Sequence, residues 1–145
     1  MIRKKQVPSN FKNRLSKLKS VLVKYPIVYA LFLFGSQAEE RSTALSDVNI
    51  AYLSYQNLDY ETESNLLFDI DEILGTEEVD LVNIKKMPLV STYKIVNFGK
   101  LIFCSDEKAF LDYKERINIK YFDFKPYHDE YMECFKQRLK QDTVF

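Results

Sequence analysis

The sequence predicts an α/β (α+β) domain, a small mixed β-sheet of about four strands covered by helices. Three observations lead there. Apolar residues recur three and four apart in several segments, the period of a helix with one buried face. Between them lie short runs rich in β-branched and aromatic residues, which suit strands. The chain of 145 residues, 46% of them hydrophobic, is enough for one domain with a real core. A single domain over 1–145 is expected, with residues 1–8 flexible.

The elements follow in order. Phe11, Leu15, Leu18, Leu22 and Tyr25 mark a first helix, with Ser9 as its N-cap and Pro26 at its end. Ile27 to Phe34 is a continuous apolar run, the pattern of a strand buried on both faces. Gly35 and Ser36 break it, and a short helical turn through Arg41 precedes a loop. A second strand covers Val48 to Leu53. Asp59 caps a helix built on Leu66, Leu67, Ile70, Ile73 and Leu74, and Gly75 stands just past its end. Val79 to Ile84 reads as a third strand. After Pro88 comes a short helix closed by Gly99, then a fourth strand over Leu101 to Cys104. Two further helices are expected, about 106–121 and about 127–140, with Pro126 between them.

Composition excludes several classes. The longest apolar run is far short of the roughly 18–20 residues that span a bilayer. Residues 1–20 lack the apolar core of a signal peptide, so a cytoplasmic protein with no membrane association is expected. Cys104 and Cys134 have neither metal-type nor framework spacing and read as reduced core thiols. Lys+Arg and Asp+Glu are 21 each, and this zero balance argues against direct nucleic-acid binding. The charges are nonetheless segregated. Residues 1–41 hold nine Lys/Arg against two Asp/Glu, and residues 42–84 hold ten Asp/Glu and no Lys or Arg. Such blocks are ordinarily solvated helix faces, and they also suit a divalent cation at an acidic centre with phosphate at basic flanks.

The chemistry-bearing stretch is Leu33-Phe34-Gly35-Ser36-Gln37-Ala38, followed from Ser46 by Ser-Asp-Val-Asn-Ile-Ala. Gly35 comes straight off a buried strand and lets backbone approach a ligand with no Cβ in the way. The Ser36 hydroxyl can hydrogen-bond a phosphate oxygen. Asp47 and Asn49 are two apart at a strand start and project to one face. Asp80, in the next strand, can complete the cluster. Oxygen donors of this kind suit Mg²⁺ shared with substrate phosphates.

This spaced pattern resembles the polymerase-beta-type nucleotidyltransferase superfamily and, within it, the minimal nucleotidyltransferase (MNT) antitoxins of HEPN/MNT toxin–antitoxin pairs. The segment KMPLVSTYKIVNFGKLIF and the run Tyr121-Phe122-Asp123-Phe124-Lys125-Pro126 also read like that family, so the resemblance extends from about residue 9 to 140. It implies the nucleotidyltransferase fold. It further implies an antitoxin that silences a HEPN-family ribonuclease toxin by Mg²⁺-dependent transfer of AMP from ATP to a toxin tyrosine. The implied catalytic and metal-binding residues are Asp47, Asn49 and Asp80, with two Mg²⁺ per site. Gly35 and Ser36 would hold the nucleotide's β- and γ-phosphates, and Asp80 would help deprotonate the attacking hydroxyl.

The sequence departs from the family at two places. Asn49 stands where the family has its second aspartate, keeping a carbonyl oxygen but losing an anionic charge. Glu39-Glu40 stands where relatives often carry Gly or a basic residue. Two other readings therefore stay open: a weakened or inactive antitoxin acting by direct binding to the toxin, and, less favoured, a small-molecule nucleotidyltransferase. Without the resemblance, an Asp-x-Asn at a strand start is ordinarily a turn or cap device. Asp80 reads as half-buried and His128 as part of a solvated helix face. Tyr121, Phe124 and Tyr127 are candidates to face a partner. Lys85, Lys86, Lys94 and Lys100 are equal candidates for the triphosphate.

Overall fold

The computed structural model describes residues 11–35, 48–76 and 78–142. Four strands form one sheet in the order β3-β2-β1-β4: β1 is Val28–Phe34, β2 Val48–Ser54, β3 Val79–Asn83 and β4 Lys100–Cys104. β1 runs antiparallel to both neighbours, and β2 and β3 are parallel. The mixed sheet is thus the expected one. β1 is central because it can be: from Val28 to Leu33 every residue is buried, so both faces of the strand are covered.

One face of the sheet is covered by α1 (Phe11–Ser16), α2 (Leu18–Leu22) and α3 (Tyr60–Leu74). Leu66, Ile70 and Leu74 of α3 are fully buried, one stripe of a helix each member of which stabilises by about 1.5–3 kcal/mol. α3 ends where its sequence says it should. The Asp59 carboxylate accepts from the Thr62 N–H at 2.7 Å, and Gly75, at φ +71, returns its N–H to the Asp71 carbonyl at 2.8 Å. The Tyr52 hydroxyl donates to Glu63, and the Tyr25 hydroxyl to Asp69 at 2.6 Å, which ties α3 to β2 and to the segment entering β1.

The first helix differs from expectation: it is two short helices that meet at Lys17. The Ser16 and Ser20 hydroxyls donate to the carbonyls of Asn13 and Lys17, three residues back, at 2.7 and 2.8 Å. Such back-bonding competes with the helical ladder and bends the chain. Lys17 N–H correspondingly reaches only to Arg14 O. Ser9, the expected cap, lies outside the described residues, as does the expected turn through Arg41.

The other face is covered by α4 (Leu89–Phe98) and α5 (Glu107–Asp142), with a 3₁₀ turn at Ile84–Lys86 after β3. β3 and β4 lie on opposite edges of the sheet, so α4, which connects them, has to cross the whole face beneath β2 and β1. Thr92, Ile95 and Val96 are its buried residues. The last two expected helices are one, 36 residues long with Pro126 inside it. Pro removes one N–H and crowds the carbonyl four residues back. Phe122, which carries that carbonyl, is exposed, so water can serve the freed oxygen. Phe124 against His128 (5.2 Å) and Lys125 against Asp129 (3.3 Å) bridge the proline from both sides. Beyond Tyr121 the helix leaves the core, and Tyr127, Tyr131, Phe135 and Leu139 are exposed along it.

Both cysteines are free. Cys104 is half-buried, whereas Cys134 is exposed on α5 and is no core thiol. Among the described residues no helix is long and apolar enough to cross a membrane.

Candidate functional site

The end of β1 and the starts of β2 and β3 meet at one corner of the sheet. In register, Phe34 pairs with Asn49 across the antiparallel ladder, and Asn49 pairs with Asp80 across the parallel one. Alternation decides where these side chains point. Val48, Ile50 and Tyr52 belong to the core under α3, and Ala51 and Leu53 to the core under α4 and α5. Asn49 therefore shares the α4 face, and so does Asp80, between Val79 and Leu81.

Gly35 leaves β1 at φ +81, in the left-handed region that side chains rarely adopt. A Cβ built there would lie 2.7 Å from the Asn49 side-chain nitrogen. The missing side chain is thus what lets Asn49 sit against the turn. Asn49 is half-buried. Asp80 is exposed rather than half-buried as expected, because β3 is the sheet's edge strand and none of the described strands lies beyond it. Among the described residues the Asp80 carboxylate has no hydrogen bond or ion pair. Three of the five expected site residues, Gly35, Asn49 and Asp80, are therefore brought together. Ser36 and Asp47 lie outside the described residues.

The donor set can be tested for Mg²⁺. An unengaged carboxylate beside an amide carbonyl supplies two hard oxygens, the donor type Mg²⁺ takes while keeping several waters. Among the described residues no group of three His, Cys, Asp or Glu converges. Asn49 and Asp80 by themselves supply two oxygen donors, a set that fits a largely hydrated cation.

Sequence reasoning named Lys94 among four candidate lysines but did not find the cavity that adjoins this corner. A cavity of about 710 Å³ opens from Phe34 and Gly35 onto α4, where Ser91, Lys94 and Phe98 line it, with Met87 just before the helix and Tyr121 of α5 at its side. Tyr121 stacks on Tyr93 at 3.7 Å and 6°, which fixes the α4–α5 wall. A signal existed: Ser91, Lys94 and Phe98 recur at helical spacing, but on a stripe of α4 that is not the buried one. His128 is half-buried against Phe124, far along α5, and takes no part.

Comparison with known proteins agrees with this geometry. The family described as polymerase beta, nucleotidyltransferase matches residues 16–108. No curated protein matches the chain. A chain in the crystal structure of a toxin–antitoxin with AMP-PNP is 21% identical, over 92% of this chain and 99% of that one, at a TM-score of 0.61. One in the MntA–HepT toxin–antitoxin structure is 20% identical, over 92% and 99%, at 0.56. A third, from tri-AMPylated Shewanella oneidensis HEPN toxin in complex with MNT antitoxin, is 20% identical, over 92% and 98%, at 0.57. These structural likenesses establish the fold. Since the family match takes in all four strands of the sheet and the corner where Gly35, Asn49 and Asp80 meet, this chain belongs to the polymerase beta nucleotidyltransferase family.

Proposed function

We propose that the chain is the antitoxin of a HEPN ribonuclease toxin and acts by transferring AMP from ATP to a tyrosine of that toxin. One observation carries the reading: the pairing of Asn49 with Asp80 beside the positive-φ turn at Gly35. That corner offers bare backbone for phosphate next to oxygen donors for a cation. The structural neighbours, a toxin–antitoxin with AMP-PNP and a tri-AMPylated HEPN toxin held by an MNT antitoxin, support the nucleotide, the partner and the kind of reaction.

In this mechanism Gly35 and Ser36 hold the β- and γ-phosphates, so that the α-phosphate faces Asn49 and Asp80. Asp80 accepts the proton of the incoming tyrosyl hydroxyl as its oxygen attacks the α-phosphorus in line. The bond to the β-phosphate's bridging oxygen breaks, and pyrophosphate leaves. Asp47, Asn49 and Asp80 would hold Mg²⁺, which when bound supplies charge neutralisation at the reacting phosphates. A cytoplasmic setting, where ATP and Mg²⁺ are abundant, completes the reading.

A second reading rests on Asn49 itself. An amide gives a cation one neutral oxygen where a carboxylate gives an anionic one, which favours an antitoxin that neutralises by binding alone. Intact-mass spectrometry separates the two. A HEPN partner encoded beside this chain is incubated with ATP, Mg²⁺ and either the chain or its Asn49→Asp variant. Gain of one or more AMP units with the unaltered chain is the expected result. Gain with the variant alone identifies a degenerate enzyme, and a stable complex with no gain from either sinks AMP transfer in favour of binding.

A further inference from the structure

The cavity beside Gly35 has a volume within the roughly 300–1,000 Å³ of small-molecule sites, apolar walls and few polar groups. We propose that it seats the nucleotide, with the Lys94 ammonium holding the β- and γ-phosphates and Phe34, Met87 and Phe98 forming the wall that receives the base. The inference rests on the nucleotidyl-transfer reading and deepens it, since it names the cation and the base subsite that this reading lacks.

Four lysines compete for the phosphate role, and geometry separates them. The Lys85 ammonium is already engaged, donating to the Ser54 carbonyl at 2.8 Å. Lys100 pairs with Leu33, whose side chain belongs to the core under α3, so Lys100 points to the opposite face of the sheet. Lys86, in the 3₁₀ turn, does not line the cavity. Lys94 does line it, and among the described residues it makes no hydrogen bond or ion pair. Ser91 stands three residues earlier on the same face of α4 and adds a hydroxyl donor.

Electrostatics points the same way. Residues 42–84 contain no Lys or Arg, and Asp80 adds a negative charge at the corner. A polyphosphate entering there meets repulsion from its own side of the site, and a cation has to come from outside residues 42–84. α4 supplies it because the connection from β3 to β4 crosses under Gly35. The base then lies along the apolar remainder of the α4 stripe, with Phe98 75% exposed until covered.

The test is equilibrium binding of ATP and of AMP to the full chain, measured by calorimetry. Lys94→Met keeps the aliphatic stem and removes the charge, Lys86→Met is the control, and Phe98→Ala trims the base wall at an exposed position. Lys94→Met is expected to weaken ATP tenfold or more and AMP less than threefold, Phe98→Ala to weaken both alike, and Lys86→Met to change neither. Undiminished ATP binding in Lys94→Met, or an equal loss in Lys86→Met, overturns the phosphate role. Equal losses of ATP and AMP in Lys94→Met make it a packing residue and overturn that role as well. Unchanged affinities in Phe98→Ala overturn the base wall. Failure of the unaltered chain to bind ATP overturns the nucleotide reading itself, and this inference with it, a result distinct from all the others.

Discussion

Asn49 and Asp80 stand directly opposite one another in the parallel ladder between β2 and β3, and both face α4. Residues so paired lie within reach of a common ligand, whereas a slip of one residue would send Asp80 to the α3 core. The register of this one ladder is therefore what brings together two residues 31 positions apart in sequence.

From that pairing, Asp80→Asn is expected to lower AMP transfer by about 10²–10⁴-fold, the usual range for a proton acceptor. Because Asp80 is exposed and unengaged, stability should stay within about 0.5 kcal/mol. Radiolabel incorporation and thermal melts check the two halves, and a variant as active as its parent refutes the role.

Asn49→Asp restores a second anionic donor beside Asp80. The Mg²⁺ concentration needed for half-maximal ATP binding should fall, on the order of tenfold. Titration of ATP binding against Mg²⁺ reads this directly. An unchanged midpoint means that residue 49 does not touch the cation.

Gly35→Ala places a Cβ 2.7 Å from the Asn49 nitrogen, at a φ of +81. The turn and Asn49 cannot both keep their places. Loss of about 1–3 kcal/mol in denaturant melts is expected, together with weakened ATP binding. Gly35→Asn, which tolerates the left-handed region better, should recover less than half of the loss, since it leaves the clash in place.

Stability should fall in alkali. Burial, and the hydrogen bond to Asp69, push the Tyr25 hydroxyl up to about 12, and burial pushes Tyr113 to about 12. Burial with the hydrogen bond to Glu63 raises Tyr52 further. The folded state thus keeps these protons over a pH range in which the unfolded chain, titrating near 10, has released them. Stability is full below about pH 10 and is lost as pH rises through 12. Circular dichroism against pH should show that loss, and Tyr25→Phe should make its own share of it disappear.

Asp59→Ala removes the acceptor that holds the Thr62 N–H, and about 1 kcal/mol of stability should go with it. Asp59→Asn should recover most of it. The exposed position makes denaturant midpoints a clean readout.

Much of this architecture was legible in the chain. Asp59 and Gly75 bracket α3 because a carboxylate cap and a left-handed glycine are local devices, readable within a few residues. Ile27 to Phe34 announced the central strand, since only a strand covered on both faces tolerates so unbroken an apolar run. Misreadings arose where a local rule had a local competitor. Ser16 and Ser20 split the first helix by bonding backward, and Pro126 failed to end α5 because its orphaned carbonyl is on an exposed face. Cys134 and Asp80 proved more exposed than expected because Cys134 lies on the arm of α5 beyond the core and Asp80 on an edge strand.

The sequence by itself determined the four strands, α3 and α4, the Gly35–Ser36 and Asp47-x-Asn49 spacing, and through them the family, since each is written in residues adjacent or nearly so. Tertiary structure alone decided three things: that Asn49 meets Asp80, that Asn49 leans on the space where Gly35 has no side chain, and that Lys94 rather than Lys100 shares their face. Those depend on ladder register and on the path of α4 across the sheet. Both are properties of long-range pairing, which no window of sequence contains.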